Sequence, residues 1–279
     1  MKIFKTENAI KRYISEQKKK GIQINFVPTM GALHGGHIQL IKKAIGPDSI
    51  TVCSIFINPK QFNDPADLDR YPITVEDDIN KLEMSGCDVL FLPSVSEIYP
   101  SDFKSIQYDL GYLDETLEGK FRKNHFQGVC MVMHRLLEIL KPDKLFMGQK
   151  DYQQCIVIKS LIKMFSFKTE FVTVPTIREE SGLAMSSRNV LLSSEEKKLA
   201  PNIYEQLNYF KDNIQTKPIA NLKNEFINAL KNTSITTEYI ELADAEDLKI
   251  KKEFDHKRSV LLFSGYLGKV RLIDNLIIE

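Results

Sequence analysis

Residues 26–37 read FVPTMGALHGGH, and this stretch decides the fold that the sequence predicts. An apolar run over residues 22–27 predicts a buried strand, which Pro28 and Gly31 then end. Apolar residues at helical spacing follow over residues 38–45, so the glycines are expected on a strand-to-helix turn. Free backbone N–H groups and the helix macrodipole favour an anion at such a turn.

Two histidines, His34 and His37, enclose Gly35 and Gly36 in this turn. Because the histidines are three residues apart, both rings lie on one face of a first helical turn and can hydrogen-bond phosphate oxygens. The glycines lack a Cβ atom, so a ligand can approach the backbone closely. A tight surface turn with two exposed histidines explains the same residues, and the turn alone does not decide between the two interpretations.

The composition of the 279-residue chain narrows the class of protein. Hydrophobic residues make up 43% of it, which supports a packed core, and a net charge of +1 gives no strong field toward nucleic acid or a membrane. No apolar run approaches the roughly 20 residues of a spanning helix, and the N-terminus lacks a signal-peptide core. The scattered cysteines predict buried free thiols in a reducing compartment, so we expect a cytoplasmic protein.

Strands and helices alternate over residues 22–175, which predicts βαβ units and a parallel sheet. The predicted strands are residues 22–27, 49–57, 88–92, 106–110, 144–147 and 171–174, and the predicted helices are residues 5–19, 38–45, 74–85, 129–140 and 152–165. Thr74 and Asp77 are spaced as in a capping box at the start of one helix. A polar loop is expected over residues 64–72.

The pattern changes after residue 175, and we place a domain boundary near residues 175–180. The predicted elements beyond it are a polar linker at 177–192, helices at 194–213 and 218–231, and antiparallel strands at 236–243, 259–266 and 269–278. Leu267-Gly268 is a hairpin signal between the last two strands. The prediction is an α/β protein with a Rossmann-like parallel sheet in a nucleotide-binding domain, residues 1–176, and a smaller α+β C-terminal domain, residues 177–279.

Three more polar motifs follow predicted strands or lie in the linker. Residues 58–62, NPKQF, stand at the carboxyl end of a predicted parallel strand, where open α/β sheets bind ligands. Residues 148–151, GQKD, bring Lys150 as a point positive charge, and residues 185–188, MSSR, bring two hydroxyls and a guanidinium that suit a polyphosphate. Taken alone, NPKQF is equally compatible with a polar loop, MSSR is compatible with a flexible polar loop, and GQKD is better explained by a surface lysine with Asp151 as a helix N-cap. The glycine and histidine turn, GQKD and MSSR together favour a nucleotide site.

The reaction class is indicated by what accompanies these motifs. Gln61 and Gln154 are uncharged donors and acceptors that suit a small hydroxy acid better than a phosphate. The chain has no GxSxG elbow and no GxxxxGK[ST] motif, so a reaction run by positioning and charge stabilisation, nucleotidyl transfer from ATP, fits better than an acyl-enzyme. An adenylyltransferase with another acid, a catalytically silent nucleotide-binding module and a zinc site at the histidines remain alternatives.

Five segments, in order, resemble the pantothenate synthetase (pantoate–β-alanine ligase) family of the nucleotidyltransferase superfamily: PTMGALHGGH, SIFINPKQF, LEGKFRKNHFQGV, DKLFMGQKDYQQ and VPTIREESGLAMSSRN. Residues 271–275, RLIDN, are similar as well. The resemblance implies ATP-dependent ligation of pantoate and β-alanine to pantothenate, AMP and pyrophosphate through a pantoyl adenylate, on the route to coenzyme A. It also implies Mg²⁺, a homodimer and a C-terminal domain that acts as a lid, with no nucleic-acid or membrane partner.

The resemblance carries over site residues position by position. It implies a catalytic set of His37, His34, Lys150, Ser187 and Arg188, in which His37 is the family's proton donor or a stabiliser of transition-state charge. The implied nucleotide-binding set adds Met30, Gly31, Ala32, Leu33, Gly35, Gly36, Gly148, Gln149, Asp151, Ile177, Met185 and Ser186. The implied substrate-binding set is Gln61, Gln154, Asn58, Tyr71 and Arg122. No metal ligand is assigned, Asp77 and Asp78 being weak candidates for holding Mg²⁺.

Three positions depart from the family pattern. Gly35 and Gln149 stand where glutamate is common, and Lys123 stands where proline usually follows the arginine. None of the three removes a group from the direct chemistry. Gly35 loosens the start of the helix and removes an acidic side chain beside the phosphates, so we expect a changed affinity for ATP without a predicted direction.

Overall fold

The computed structural model of the chain describes residues 1–63 and 68–279. Unit one comprises Met1–Gly148 and Gln153–Val174, and unit two comprises Gln149–Tyr152 and Pro175–Glu279. The polar loop predicted at residues 64–72 lies partly outside the described residues.

Unit one is built on a parallel sheet with the strand order β1-β4-β3-β2-β5-β6. Its strands are β1 (Lys2–Phe4), β2 (Gln23–Thr29), β3 (Ser49–Ile55), β4 (Val89–Phe91), β5 (Lys144–Gly148) and β6 (Glu170–Val174). The chain proceeds from β2 to β3 and β4 on one side, and then returns to place β5 on the other side of β2. The order of the strands therefore reverses between β2 and β5, the kind of position at which open α/β sheets bind ligands.

Helices cover both faces of this sheet. They are α1 (Glu7–Lys19), α2 (Gly35–Ala44), α3 (Val75–Met84), α4 (Val95–Ile98), α5 (Tyr112–Glu115), α6 (Leu117–Phe121), α7 (His125–Leu140) and α8 (Tyr152–Met164). Successive strand residues point to opposite faces, so Phe26 of β2 joins one buried cluster with Leu137, whereas Val27 joins another with Ile41. Burial on both faces explains why these strands are continuous apolar runs in the sequence.

Unit two contains an antiparallel sheet with the order β7-β8-β9. Its elements are β7 (Ile235–Asp244), β8 (Ser259–Leu267), β9 (Val270–Ile278), and the helices α9 (Ser194–Leu199), α10 (Asn202–Asn213) and α11 (Ile219–Lys231). Phe210, Phe226 and Phe263 pack helices against the sheet in a core of this unit's own. The predicted hairpin is confirmed, with Gly268 at φ +57° between β8 and β9. The predicted parallel sheet and smaller α+β part are both confirmed.

Two predictions in unit one were wrong in detail. Residues 106–110 form no strand, because the Gln127 side chain takes the hydrogen bonds that a neighbouring strand would make: its Oε1 accepts from the N–H of Tyr108 and its Nε2 donates to the Tyr108 carbonyl, both at 3.0 Å. Strand β2 continues through Pro28 to Thr29 instead of ending there. Its pairing with β5 stops at Phe26, so Pro28 has a paired neighbour on one side only, as on an edge strand.

Helix ends account for the other differences. Thr74 lies at the N-cap of α3, but within the described residues its side chain makes no capping hydrogen bond, so the predicted capping box is not formed. Helix α7 begins at His125, four residues before the predicted start. The helix predicted at residues 194–213 is two helices, because Pro201 lacks the N–H that would continue the first.

The cysteines are free and buried, as the sequence predicts. Burial raises the pKa of Cys87 to about 11 and the pKa of Cys130 to about 12, so both thiols stay protonated and unreactive at neutral pH. In the part of the chain that the structure describes, no helix is long and apolar enough to span a bilayer.

Substituting Gly128 with alanine should test the packing of α7 against the segment after β3. The added methyl group would overlap the Lys60 backbone and lie 2.7 Å from Gln61 Cα, and backbone atoms cannot rotate away. Overpacking of this kind should outweigh the roughly 1 kcal/mol gained from helix propensity, so we expect a net loss of about 1–3 kcal/mol in the free energy of unfolding. Urea denaturation measures it.

The matched control is Gly46→Ala, whose methyl group would make only ordinary contacts, the nearest at 3.4 Å to Ser49 Oγ. It should change the unfolding midpoint little. Equal midpoints for the two variants would show that the contact between Gly128 and Lys60 does not constrain the fold.

Candidate active site

The turn between β2 and α2 is shaped by acceptors for its backbone N–H groups. Gly31 N–H donates to Thr29 Oγ1 at 3.2 Å. Ala32 N–H and Leu33 N–H donate to Asp78 Oδ2 and Oδ1 at 2.9 and 2.7 Å, so one carboxylate takes two neighbouring donors. Gly31 and Ala32 have φ values of +82° and +49°, which curve the chain sharply before α2. The result is a fixed turn at the end of β2, next to the reversal in strand order.

The two histidines complete the turn by capping α2. His34 is the N-cap residue, and its Nδ1 accepts from Gly36 N–H at 3.1 Å, while His37 Nδ1 accepts from His34 N–H at 3.3 Å. The ring centroids are 4.0 Å apart, with 41° between the planes. A ring nitrogen that accepts an N–H carries no proton, so each neutral ring holds its proton on Nε2. The cap thereby fixes both rings as Nε2–H donors.

One expectation from the sequence is corrected here. The turn was expected to offer free backbone N–H groups to an anion, but five of them are used inside the protein: those of Gly31, Ala32, Leu33, His34 and Gly36. The reason is that a buried N–H group must find an acceptor, and this turn has acceptors of its own. These five N–H groups are therefore not available to an anion, contrary to the expectation from the sequence.

The side chain of Asn58, which follows β3, hydrogen-bonds the side chain of Gln61. Asn58 is only 1% exposed, and its Nδ2 donates to Gln61 Oε1 at 3.1 Å and to the Gly128 carbonyl at 3.0 Å. Its Oδ1 accepts from Lys60 N–H and from the Tyr99 hydroxyl, the latter at 2.8 Å. Burial raises the pKa of Tyr99, which keeps that phenol a donor. Asn58 thus orients the Gln61 amide from a buried position.

Gln61 lies beside the turn. The side-chain Nε2 of Gln61 is 3.0 Å from the sulfur of Met30, the residue that precedes Gly31. The backbone carbonyl oxygen of Gln61 is 2.8 Å from Nδ1 of His125. The side chains of Met30 and Gln61 are both only partly buried. The structure therefore brings one predicted substrate-binding residue next to the predicted phosphate-binding turn.

The remaining predicted substrate residues of unit one have separate surroundings. Gln154 lies in the first turn of α8 and is partly buried. The Tyr71 ring meets Phe62 edge-on, with centroids 5.8 Å apart, and Arg122 follows α6 with its guanidinium 3.7 Å from the Glu118 carboxylate. Their roles stay predictions.

In unit two, the segment GQKD is fastened to β9 by Asn275. Asn275 is 1% exposed, and its Nδ2 donates to the carbonyl oxygens of Gln149 and Lys150 at 3.0 and 2.8 Å. Its Oδ1 accepts from Gln149 Nε2 at 3.1 Å, so the glutamine that departs from the family pattern is part of this contact. Asn275 therefore holds the backbone that carries Lys150. The sequence offered one signal for it, the RLIDN segment, to which no role was assigned.

The neighbouring residue of β9 holds the segment that contains Ile177. Both oxygens of Asp274 accept from Arg178, at 2.7 and 2.9 Å, and the guanidinium stacks on the Tyr204 ring at 3.5 Å from its centroid. Ion pairs with this forked geometry are stronger than single contacts and fix direction. Arg178 and Tyr204 were missed from the sequence.

The serine and arginine motif lies directly after this clamp. Met185 N–H donates to the Ile177 carbonyl at 3.0 Å, which joins the two ends of the segment. Ser186 Oγ then accepts from Arg188 N–H at 3.2 Å and caps a 3₁₀ turn at Ser187–Leu191. Ser187 and Arg188 thus begin a capped turn and are both partly buried.

Acidic residues near the glycine turn are already engaged. Both Asp78 oxygens bind the turn, and Asp77 pairs with Lys81 at 2.6 Å. Among residues 1–63 and 68–279, no group of three or more His, Cys, Asp or Glu side chains could hold a metal ion. The described donors therefore do not form a ready-made protein cage for Mg²⁺ or zinc.

Known proteins match this chain over nearly its whole length. A profile of the family described as Pantoate-beta-alanine ligase matches residues 2–277. A curated protein named Pantothenate synthetase from Cytophaga hutchinsonii is 42% identical over 275 residues, 96% of each chain. Another of that name, from Fervidobacterium nodosum, is 39% identical over 281 aligned residues and spans 100% of both chains.

Solved structures agree. A crystal structure of pantothenate synthetase from Thermus thermophilus has a TM-score of 0.89 and 35% identity, and the match covers 99% of both chains. A crystal structure of pantoate-beta-alanine ligase from Francisella tularensis, complexed with beta-gamma ATP and β-alanine, has a TM-score of 0.81 and 40% identity. That match covers 99% of this chain and 97% of the other.

Nitrogen NMR should show the tautomers that the cap imposes. In protein labelled with ¹⁵N-histidine at mildly alkaline pH, His34 and His37 should each show a bare Nδ1 and a protonated Nε2, because both Nδ1 atoms accept backbone hydrogen bonds. The single variants His34→Gln and His37→Gln assign the signals. A protonated Nδ1 on either ring would contradict the capping geometry.

Proposed function

The chain belongs to the pantoate–β-alanine ligase family, and from that premise we propose that it joins pantoate to β-alanine and cleaves ATP to AMP and pyrophosphate. The observation that carries the site assignment is the pair of imidazoles fixed as Nε2–H donors on the turn at the strand-order reversal, with Gln61 beside the same turn. This arrangement offers donors for phosphate oxygens and an uncharged amide for a hydroxy acid in the same region.

The first half-reaction is adenylation of pantoate. A pantoate carboxylate oxygen attacks the α-phosphorus of ATP, a new O–P bond forms, and the bond to the bridging oxygen breaks as pyrophosphate leaves with the electron pair. Negative charge on the phosphoryl oxygens and the leaving group is what the site must stabilise. His34 and His37 do so as neutral hydrogen-bond donors. A neutral Nε2–H imidazole is a poor proton source, so charge stabilisation is the better account of His37.

Pantoate is held by amide groups in this proposal. Gln61 and Gln154 each offer a donor and an acceptor, which match the hydroxyls and carboxylate of the acid. Asn58 contributes by orienting Gln61, since its own polar atoms are used by the protein. Tyr71 and Arg122 are further candidates for this acid-binding role.

The second half-reaction forms the amide. The neutral amine of β-alanine attacks the carbonyl carbon of pantoyl adenylate, the C–N bond forms, and the C–O bond to AMP breaks while the amine releases a proton. No enzyme nucleophile is needed, which agrees with the absence of a nucleophile motif from the sequence. Gln61 is the proposed contact for β-alanine as well as for pantoate.

Residues of unit two are proposed to bind the nucleotide. Lys150 provides a point charge for a phosphate, while Ser187 and Arg188 provide a hydroxyl and a forked guanidinium. The nucleotide-contacting set also includes Met30 to His37 of the turn, Gly148 to Asp151, Ile177 through its backbone, Met185 and Ser186. Asn275 and Asp274 keep two of these segments in shape.

Mg²⁺ fits the proposal as a partner of ATP. Mg²⁺ commonly binds one or two carboxylates together with substrate phosphates and keeps several waters. Residues 1–63 and 68–279 contain no preformed cage, which suits delivery of the ion on the triphosphate. When bound, it neutralises phosphate charge and aids departure of pyrophosphate. We also propose a homodimer that acts in the cytoplasm; light scattering of the purified protein tests the first and fractionation of cells tests the second.

The decisive experiment is exchange of labelled pyrophosphate into ATP without β-alanine. We expect exchange that requires pantoate, because only a reversible adenylation of that acid returns label to ATP. Pantothenate should appear once β-alanine is added. Exchange driven by a different acid would assign the chain another substrate, and folded, ATP-binding protein without any exchange would indicate a silent nucleotide-binding module.

His37 variants test how the imidazole acts. His37→Ala should slow adenylation by roughly 10²-fold with the fold intact, because a positioned donor to a developing charge is lost. His37→Gln retains an N–H donor but cannot transfer a proton, so it should keep clearly more activity than the alanine variant. Single-turnover kinetics measure both. Equal rates for glutamine and alanine would favour proton transfer, and near-normal rates for alanine would remove His37 from the mechanism.

A further inference from the structure

Asp78 is a buried carboxylate whose position is defined by the glycine turn. It lies on α3, is 1% exposed, and binds the N–H groups of Ala32 and Leu33 through its two oxygens. Burying an ionised group is unfavourable unless strong hydrogen bonds replace its water. The N–H groups of Ala32 and Leu33 provide that replacement, so the hydrogen bonds stabilise the carboxylate in its buried position.

The contact fixes the conformation of the residues that lead into the histidine cap. Ala32 has φ +49°, which is uncommon for a residue with a side chain, and it persists because Asp78 binds its N–H. Lys81 Nζ, also on α3, donates to the Leu33 carbonyl oxygen at 2.8 Å. Helix α3 therefore binds both the N–H and the carbonyl group of Leu33. His34, the N-cap residue, follows immediately. Helix α3 therefore sets where the capped imidazoles begin.

The charge of Asp78 opposes the expected ligand. A carboxylate beneath a turn that binds a triphosphate repels it, so Asp78 offers no electrostatic benefit to ATP binding. Its place beside the turn is explained by geometry instead. If Asp78 acts by position, removing its charge should slow adenylation. If Asp78 acts by charge, removing that charge should strengthen ATP binding.

We propose that Asp78 is a positioning residue for the adenylation half-reaction: by holding Ala32 and Leu33 it places His34 and His37 against the reacting phosphates. This rests on the proposed function. It differs from a metal-binding role, because both oxygens already accept backbone N–H groups. Asp78 acts through the turn and touches no reacting atom.

Asp78→Asn tests the proposal because the amide keeps the shape but turns one acceptor into an NH₂ group. That group would face a backbone N–H, so the turn must shift. We expect pantoate-dependent pyrophosphate exchange to fall roughly 10²-fold, as misplacement of catalytic groups by about 1 Å can do. The reaction of supplied pantoyl adenylate with β-alanine should fall less than about 3-fold, since pyrophosphate has already left. The ¹⁵N signals of both histidines should move.

The matched control is Glu76→Gln, the same change at an exposed carboxylate two residues earlier on α3. It should leave both half-reactions and the histidine signals unchanged. Wild-type protein without pantoate-dependent exchange would refute the proposed function itself. Active wild type with an equally active Asp78→Asn variant would refute only the role of Asp78.

Other outcomes also decide the question. A lower KM for ATP at unchanged kcat would show that Asp78 acts by charge, and recovery of the variant at raised Mg²⁺ would show a metal ligand; both overturn the proposal. If Asp78→Asn does not fold, Asp78→Glu probes the same contact, since it keeps the charge but moves both oxygens relative to the N–H groups of Ala32 and Leu33. A selective loss of adenylation in that variant supports the proposal, and unchanged adenylation overturns it.

Discussion

Hydrogen bonding of the N–H groups between β2 and α2 is the constraint on which the proposed site depends. A buried N–H left without an acceptor costs about 1–3 kcal/mol, so a turn with five inward donors needs five acceptors. Thr29, Asp78, His34 and His37 provide them. Two of these acceptors are the histidines that the proposed chemistry uses. The same hydrogen bonds therefore stabilise the turn and orient the imidazoles, so a change in one changes the other.

In unit two, buried side chains likewise fix segments of the proposed site by hydrogen bonds. In the segment carrying Lys150, Asn275 binds two successive carbonyl oxygens. Asp274 binds Arg178 through a forked ion pair and so fixes the start of the segment that ends in Ser187 and Arg188. Adjacent residues of one strand thus support two segments that we propose contact the nucleotide. The side chains that we propose contact the nucleotide can remain partly exposed, because the buried residues Asn275 and Asp274 hold their segments in place.

The sequence predicted what depends on local pattern. Apolar runs and helical spacing indicated the parallel sheet, the antiparallel sheet and most element bounds, and glycine and histidine motifs pointed to the turn. These patterns did not predict β1, which has only three residues. They also wrongly predicted a strand at 106–110, where the Gln127 side chain makes the hydrogen bonds to the Tyr108 backbone. The hydrogen bonds of Asp78 and Asn275 were not predicted for the same reason: their partners lie 46 and 126 residues away in the chain. No spacing rule connects such pairs.

These long separations also set an order of assembly. The glycine turn is local in sequence, yet its conformation requires a carboxylate that the chain supplies 46 residues later, after α3 has docked. The Lys150 segment requires a strand 125 residues further on. Contacts between distant residues form late, because closing long loops is entropically unfavourable. A growing or partly unfolded chain can thus have its helices and strands while these two segments are not yet fixed, so the ATP site that we propose would be complete only when folding is complete.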